Sequence, residues 1–400
     1  MTGKTRKPAT RLAHLGSDPA RFAGAVNPPV FRASTILAPD LATYETDNRQ
    51  RFEQGETVYG RFGTPTHRAL EQALTELEGG ADTLLYPSGL SAVVTALMTV
   101  LNSGDHLLMV DSVYGPTRKV CEGTLKRMGI ATTYYDPTTS TEALKTLIRP
   151  ETKAIFLESP GSMTFEMQDV PGLTATAKAA GLTVLMDNTW ATPLHFQPLR
   201  HGVDLSIQAA TKYIVGHADA MLGAVTANAD WAKPLRATTY ELGVCPGPDD
   251  AYLGLRGLRT MQVRLARHAE TSLALARWLE QRPEVDRVLH PALPGAPGHA
   301  IWARDFTGSC GLFGVVLSRA YPRRAVGAML DGLELFGIGS SWGGFESLAI
   351  ACYPQSQRTV SRWEAPGPLL RLHAGLEDSG DLIADLDAGF QRLEEAAEAG

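Results

Sequence analysis

Two residues near the middle of the chain have types and spacing that could support chemistry together, namely Asp187 and Lys212. Asp187 follows the apolar run 183–186, and Lys212 comes shortly after the apolar run 205–208. A carboxylate at the end of a buried parallel strand lies where α/β proteins bind ligands. A lysine that leaves a sheet for a pocket is desolvated, so its pKa falls and its neutral amine can form a Schiff base. Pyridoxal phosphate needs both groups, a lysine for its aldehyde and an acid beside its pyridine nitrogen. An N-capping aspartate and a surface lysine are the ordinary alternative.

Two further features could serve a flat, phosphorylated cofactor. Segment 87–91 joins an apolar run to a helical pattern, and Gly89 within it permits close backbone approach. Free N–H groups at a helix start bind phosphate, although a plain structural turn has the same pattern. Tyr114 follows the next apolar run and could stack on a cofactor ring, or it could be a core tyrosine.

Two arginines have positions that call for an anionic partner. Arg61 lies in the irregular segment 59–66, and Arg371 lies in the apolar run 369–373. An arginine buried without a partner is unfavourable, so Arg371 is expected to pair with a carboxylate. That carboxylate could belong to a substrate held by two hydrogen bonds, or to the protein itself.

The elements that must position these residues alternate between residues 62 and 257. Apolar runs predict strands and the stretches between them predict helices, which is typical of a mostly parallel sheet covered by helices. The predicted strands are 83–86, 106–110, 154–157, 183–186 and 205–208, and the predicted helices are 91–101, 117–128 and 173–180.

The pattern differs at both ends of the chain. Residues 1–61 are predicted to form an irregular N-terminal arm that contacts a neighbouring subunit, with prolines at 28 and 29 breaking regular structure. Residues 62–257 are predicted to form the large cofactor-binding domain, and residues 258–400 are predicted to form a smaller α+β domain. Its predicted elements are a helix at 269–279, strands at 311–317 and 369–373, and a last helix with Ser379 as its N-cap.

Composition narrows the classes of protein to consider. The chain has 400 residues, of which 44% are apolar and 20% charged, enough for a sizeable core. A net charge of −6 without a block of lysines and arginines argues against a nucleic-acid or membrane partner. The polar, basic start at 1–11 lacks a following apolar stretch, so we expect a cytoplasmic protein with no secretory signal. Four widely spaced cysteines predict buried thiols, with neither a disulfide framework nor a metal site.

The chain resembles the Cys/Met-metabolism family of pyridoxal-phosphate enzymes from His14-Leu15-Gly16 to the final helix. The resemblance rests on specific motifs that occur in the family's order. They are VNPPV at 26–30, YGRFGTPT at 59–66, FLESPGS at 156–162, MDNTW at 186–190, SIQAATKY at 206–213, RGLRT at 256–260, SWGGFES at 341–347 and RLHAGLED at 371–378.

The resemblance implies a fold-type I architecture, with a large, mostly parallel sheet domain and a smaller C-terminal α+β domain, in a homotetramer built from two tight dimers. It implies pyridoxal 5′-phosphate as the cofactor. Lys212 would hold the cofactor as a Schiff base and move protons, Asp187 would pair with the pyridine nitrogen, and Tyr114 would stack on the ring and could protonate sulfur. The further implied contacts are Gly89, Leu90 and Thr211 to the phosphate, Tyr59 and Arg61 to the phosphate of the neighbouring subunit, and Ser341, Arg371, Trp342 and Tyr59 to the substrate.

Three positions depart from related sequences. Ala209 stands where many relatives have serine, which removes one hydroxyl beside the phosphate. Ser340 and Phe62 stand where the enteric enzymes that cleave cystathionine at Cβ have tyrosine and arginine. These departures concern the distal substrate contacts more than the cofactor chemistry.

The expected activity is cleavage of a carbon–sulfur bond in an amino-acid substrate. For L-cystathionine, β-elimination would give homocysteine, pyruvate and ammonia, in the direction of methionine synthesis. The alternative within the family is a γ-acting enzyme, either a cystathionine γ-lyase or γ-synthase or a methionine γ-lyase. Those relatives have cysteine at the position of Pro116, leucine at that of Trp342, or glutamate at that of Ser340, and these differences favour β-elimination. A non-catalytic regulator that keeps the cofactor fold is a further alternative, which the set of Lys212, Asp187 and Arg371 disfavours.

Overall fold

The computed structural model describes residues 7–52 and 57–399. Residues 1–6 of the basic start and residues 53–56 of the N-terminal arm lie outside the described residues. Two β-sheets organise the described chain, one formed before residue 228 and one after residue 284. The predicted α/β class, with a large sheet and a separate smaller C-terminal sheet, is confirmed.

The larger sheet has seven strands with the spatial order β1-β7-β6-β5-β4-β2-β3. These are β1 (Asp82–Tyr86), β2 (His106–Val110), β3 (Ala131–Tyr135), β4 (Thr152–Glu158), β5 (Thr183–Asp187), β6 (Leu205–Gln208) and β7 (Gly223–Ala227). Strand β7 runs antiparallel to both neighbours, and the other six strands are parallel to one another. The carboxyl ends of these six strands therefore meet at one edge, where α/β proteins bind ligands.

Helices cover this sheet, and both of its faces are buried. The helices of this part are α1 (Pro8–His14), α2 (Leu41–Gln50), α3 (Pro65–Glu78), α4 (Gly89–Val100), α5 (Gly115–Val120), α6 (Thr141–Leu147), α7 (Val170–Ala179), α8 (Thr192–His195), α9 (Ala229–Glu241) and α10 (Pro248–Leu258). Every residue of β1 and β2 is buried, which explains why most of their residues are apolar.

The second sheet has five strands with the order β10-β11-β12-β9-β8. The elements after residue 260 are α11 (Met261–Leu279), β8 (Val285–Leu289), α12 (His299–Asp305), β9 (Leu312–Leu317), α13 (Arg323–Asp331), β10 (Phe336–Gly337), β11 (Ser347–Cys352), β12 (Leu369–His373) and α14 (Ser379–Glu398). Phe313, Phe336 and Phe390 lie in the core of this part. The division near residue 258, the last residue of α10, remains a prediction.

All seven predicted strands form, and the observed bounds differ from the predicted ones by at most two residues at either end. Three other predictions are corrected. The N-terminal arm is not irregular throughout, because α1 and α2 form within it and the Asp40 carboxylate caps α2 by accepting from the Thr43 N–H. The helix predicted at 117–128 changes to a π-helical turn at Cys121–Leu125. Asp378, and not Ser379, caps α14, because its carboxylate accepts from the Gly380 N–H.

Candidate active site

Lys212 follows β6 by four residues and lies half-buried at the carboxyl edge of the larger sheet. Its Nζ lies 2.5 Å from the hydroxyl Oγ of Ser341. Burial, and then the nearby charge of Arg371, lower the pKa of Lys212 to about 8, against the opposing effect of Asp187. A substantial fraction of this amine is therefore neutral near pH 8 and can act as a nucleophile or a base.

Asp187 ends β5, the strand beside β6. Its Oδ1 accepts from the Thr189 hydroxyl at 2.6 Å and from the Thr189 N–H at 3.0 Å. Its Oδ2 has no hydrogen bond among residues 7–52 and 57–399. Burial raises the pKa of Asp187, while Thr189 and Lys212 act in the opposite direction. A cationic N–H placed against Oδ2 would favour the charged carboxylate.

Glu158 is a second carboxylate in the site. It lies in the FLESPGS motif at 156–162, but it was not predicted as a site residue. It ends β4 and lies in register with Asp187 on β5. Its Oε2 accepts from the backbone N–H of Tyr114 at 2.9 Å. Burial, and then the charge of Asp187, raise the pKa of Glu158 well above its usual value. Its position at a strand end, like that of Asp187, was the available signal.

Tyr114 begins the turn into α5, and its side chain remains partly exposed on the same edge of the sheet. Burial raises the pKa of Tyr114, and the charges of Asp187 and Glu158 add to this effect. The phenol therefore keeps its proton at neutral pH. Because the backbone N–H of Tyr114 donates to Glu158, the backbone of Tyr114 is held in place near Asp187.

A second group of residues lies at the N-terminus of α4. Ser88 caps this helix by accepting from the Ser91 N–H at 3.1 Å. The N–H groups of Gly89 and Leu90 have no acceptor within the part of the chain that the structure describes. A Cβ on Gly89 would lie 2.5 Å from the Cβ of Ala209, so only glycine permits this approach. Two free N–H groups at the start of a twelve-residue helix suit a phosphate.

Thr211 faces a different set of contacts from those expected. Its hydroxyl Oγ1 accepts from the Leu222 N–H at 2.8 Å and donates to the Leu222 carbonyl at 3.1 Å. To reach a phosphate, the hydroxyl hydrogen would have to leave that carbonyl.

Arg371 comes from the second sheet, on β12. One guanidinium nitrogen donates to the carbonyl oxygen of Ser341 at 3.1 Å. No carboxylate of the described residues forms an ion pair with Arg371, so the protein-internal partner allowed by the sequence is absent there. Burial lowers the pKa of Arg371, as expected for a cation without a counter-ion. The side chain can therefore hold a substrate carboxylate.

The loop that carries Ser341 and Trp342 closes against Lys212. Ser341 has a φ of +85°, unusual for a non-glycine residue, and Gly343 has a φ of +86°. A Cβ on Gly343 would lie 3.0 Å from the Lys212 Cα. The Gly343 N–H also donates to Nε2 of buried His373 at 3.0 Å. The indole of Trp342 has its centroid 5.4 Å from the Lys212 Nζ. This loop thus holds a hydroxyl and a large ring beside the amine.

Within one chain, Tyr59 and Arg61 do not contact the site residues Lys212, Asp187 and Arg371 in the part that the structure describes. Arg61 is exposed, donates to the Tyr240 carbonyl at 2.6 Å and lies over the ring of Phe62. Tyr59 is 42% exposed and lies edge-on to Phe62. Neither side chain has a hydrogen bond or ring contact with Lys212, Asp187 or Arg371 in the described parts of the chain.

Comparison with known proteins supplies independent information on this site. The model of the family described as Cys/Met metabolism PLP-dependent enzyme matches residues 9–391. A Rhizobium johnstonii protein is 50% identical over 384 residues, covering 95% of both chains. Cystathionine β-lyase of Escherichia coli K12 is 44% identical over 393 residues, covering 97% of this chain and 99% of its own. The structure of cystathionine γ-synthase from Xanthomonas oryzae pv. oryzae in complex with cystathionine has a TM-score of 0.89 at 31% identity, covering 98% of this chain and 100% of that one.

The two-sheet fold, with its lysine and carboxylates at one strand edge, is that of a pyridoxal-phosphate-dependent enzyme. The chain belongs to the Cys/Met metabolism family of these enzymes, and the expected resemblance is confirmed. The residues present fit the cofactor. Lys212 offers a partly neutral amine, Asp187 offers a free carboxylate oxygen, and the start of α4 offers unpaired N–H groups beside a glycine that tolerates no Cβ. No helix of the described residues is long and apolar enough to cross a membrane.

Proposed function

We propose that this enzyme is a carbon–sulfur β-lyase that cleaves L-cystathionine to homocysteine, pyruvate and ammonia for methionine biosynthesis. The observation that carries the proposal is the Lys212 amine, with its lowered pKa, held 2.5 Å from Ser341 beside the ring of Trp342. The 44% identity to the Escherichia coli cystathionine β-lyase supports the choice of substrate.

We assign the cofactor contacts as follows. Lys212 would hold the cofactor aldehyde in the resting enzyme, Asp187 would pair with the pyridine nitrogen, and Tyr114 would stack on the ring. The phosphate would be held by the N–H groups of Gly89 and Leu90, by Thr211, and by Tyr59 and Arg61 of the partner subunit. The bound cofactor supplies a protonated pyridine ring that accepts electrons from the substrate Cα.

The protein's own part in the reaction is proton transfer and orientation. Arg371 and Ser341 hold the substrate α-carboxylate, which orients the Cα–H bond towards Lys212. With the cofactor and substrate bound, Lys212 would take the Cα proton as a neutral base, for which a pKa of about 8 is suitable. Lys212 or Tyr114 then gives a proton to the leaving sulfur. Tyr114 can do so because burial raises its pKa and keeps the phenol protonated.

A γ-acting enzyme is the second candidate, supported by the similarity to the cystathionine γ-synthase structure. Elimination from Cγ needs a second deprotonation, at Cβ, and an orientation held by the distal amino group of cystathionine. Exposed Ser340 offers no acid for that anchor, and Trp342 is bulkier than the leucine of γ-acting relatives. We therefore favour cleavage at Cβ.

The assembly and location are also proposals. Leu41 and Tyr44 on α2 are 70% and 55% exposed, which suits a helix covered by a neighbouring subunit. Together with the family membership, this supports a homotetramer of two tight dimers in which the arm of residues 1–61 completes a neighbour's site. We propose a cytoplasmic location.

Products identify the bond that breaks. Holoenzyme is incubated with L-cystathionine, and the 2-oxo acids are separated and identified by mass, with Lys212→Ala as the inactive control. Pyruvate and homocysteine support the proposal. 2-Oxobutyrate and cysteine as main products would replace it with γ-elimination, and cofactor binding without either 2-oxo acid would favour a non-catalytic role.

A further inference from the structure

Asp111 is buried and directly follows β2. It accepts hydrogen bonds from the segment that connects β11 to β12 in the other sheet. Its carboxylate accepts from three consecutive backbone N–H groups, those of Thr359 at 3.1 Å, Val360 at 2.9 Å and Ser361 at 3.1 Å. The hydroxyl of Thr359 donates to the same carboxylate at 3.0 Å. Asp111 is 1% exposed, so these bonds are shielded from water.

The charge of Asp111 is balanced from its own side of the contact. Nη2 of Arg118 lies 2.5 Å from its Oδ1, and the guanidinium covers the ring of Tyr134 at 3.6 Å. Burial raises the pKa of Asp111, but the N–H groups of Val360, Ser361 and Thr359 and the Arg118 cation outweigh burial and hold it below its usual value. The carboxylate is therefore charged at neutral pH, when its hydrogen bonds are strongest.

Two neighbouring contacts also join this segment to the part of the chain that contains the larger sheet. Nη2 of Arg358 forms a partly buried ion pair with Glu166 at 2.6 Å. The side chain of Gln357 lies against Gly115, where an added Cβ would be 2.7 Å from Gln357 Oε1. We call residues 357–361 the docking segment. It lies over the turn that begins at Tyr114.

The chain positions at both ends of this contact connect it to the site. Asp111 precedes Tyr114 by three residues, and Ser361 precedes Arg371 by ten residues. Tyr114 precedes α5 beside the larger sheet and Arg371 lies on β12 of the smaller sheet, so their separation depends on how the two parts of the chain are joined. The Asp111 contact joins them at points close in sequence to both side chains.

We propose that Asp111 is a positioning residue, which anchors the docking segment and so sets the place of Arg371 relative to Tyr114 and Lys212. This inference rests on the proposed function, because it assigns Arg371 to the substrate carboxylate. Asp111 touches neither substrate nor cofactor. Its effect is on substrate affinity through the geometry of the carboxylate site.

The test compares three holoenzyme variants. Asp111→Ala removes every acceptor of the contact, Asp111→Asn keeps one oxygen, and Glu122→Ala is the matched control, because exposed Glu122 touches the same Arg118 at 3.2 Å. We expect Asp111→Ala to raise KM for cystathionine about tenfold or more and to change kcat by less than about threefold. Asp111→Asn should fall between, Glu122→Ala should match the wild type, and all should keep the visible absorbance of the bound cofactor.

Limited trypsin digestion provides a second readout, since Arg358 and Arg362 flank the anchored amides. Cleavage after these arginines should be faster in Asp111→Ala, and mass spectrometry identifies the fragments. Faster cleavage with unchanged KM would overturn the positioning role, and unchanged cleavage would overturn the anchor itself. If Asp111→Ala does not fold, Asp111→Asn decides between the same outcomes.

Failure of the proposed function can be distinguished from failure of the positioning role of Asp111. If the wild type releases no 2-oxo acid from cystathionine, that function is wrong. Binding of glycine, followed by the change in visible absorbance, then replaces KM. Asp111→Ala should weaken glycine binding relative to Glu122→Ala, and equal binding would overturn the inference.

Discussion

The Lys212 amine and the Ser341 hydroxyl lie 2.5 Å apart, although 129 positions separate them in the chain. Ser341 also offers its carbonyl oxygen to Arg371. One residue, held at a positive φ, thus connects the amine proposed to carry the cofactor with the guanidinium proposed to hold the substrate. A change at either partner should therefore be detectable at the other.

Lys212→Ala should nearly abolish turnover and remove the cofactor's lysine-bound visible absorbance, because no other amine of the described site replaces it. Lys145→Ala is the matched control, since Lys145 is exposed and its one ion pair among the described residues is with exposed Glu142. Turnover and absorbance spectra of the purified variants check the prediction. A Lys212→Ala enzyme with the wild-type spectrum and rate would assign the cofactor to another lysine.

The reaction of the apoenzyme with pyridoxal phosphate should depend on pH through Lys212. The neutral amine is the reactive form, so the rate constant should rise with pH and level off above the pKa of about 8. Arg371→Leu removes a positive charge that lowers this pKa, so its profile should shift to higher pH. Stopped-flow absorbance measures both profiles. A shift to lower pH, or none, would contradict the electrostatic coupling.

Arg371→Leu should raise KM steeply, with a loss of about 2–4 kcal/mol of charge-assisted binding. Cofactor content should hardly change, because Arg371 is proposed to meet the substrate only. Arg371→Lys keeps the charge without the planar fork and should fall between. Steady-state kinetics and cofactor absorbance are measured together, and normal KM with lost cofactor would place Arg371 elsewhere.

Mixing two inactive variants should restore activity if the site is shared between subunits. Within one chain, Arg61 is exposed and has no hydrogen bond to Lys212 among the described residues. We therefore expect it to contribute to the active site of a neighbouring subunit. A hybrid dimer of Arg61→Ala and Lys212→Ala would contain one intact site. Random mixing should therefore recover about a quarter of the wild-type rate. Differently tagged subunits confirm that hybrids form, and hybrids without activity would refute the shared site.

Glu78 should make the stability of the protein depend on pH. It is fully buried, its Oε1 accepts from Ser206 and Gln208, and its Oε2 has no partner among the described residues. Burial raises the pKa of Glu78 to about 7. The folded state thus binds this proton more tightly than the unfolded state, and stability falls as pH rises from about 4.5 to about 7.

Glu78→Gln removes this titration. The free energy of unfolding of Glu78→Gln minus that of the wild type should increase by about 1–3 kcal/mol as the pH rises from 5 to 8. Urea unfolding of the apoenzyme at both pH values measures the difference, with exposed Glu142→Gln as the control. Equal pH dependence in wild type and Glu78→Gln would show that Glu78 does not titrate in this range.

The strands that lead to Asp187 and Lys212 could be predicted from sequence because their signal is local. Buried strands are rich in apolar residues, and β2, β6 and β12 have the bounds predicted from that pattern. Helix starts were less certain, because they depend on single side chains. Asp378 caps α14 where Ser379 was expected, since either residue type can accept from a helix N–H and only the backbone path decides which one does.

Contacts between distant parts of the chain depend on the tertiary structure. Nothing near Glu158 in sequence indicates that it holds the Tyr114 N–H, and Asp111 meets amides some 250 positions away. Such contacts depend on strand order and on how the two sheets pack, which local hydrophobic patterns do not encode. Composition and motifs alone thus indicate the family and predict which lysine holds the cofactor. The placement of Arg371 and Ser341 around that lysine follows only from folding, because these side chains come from the other sheet.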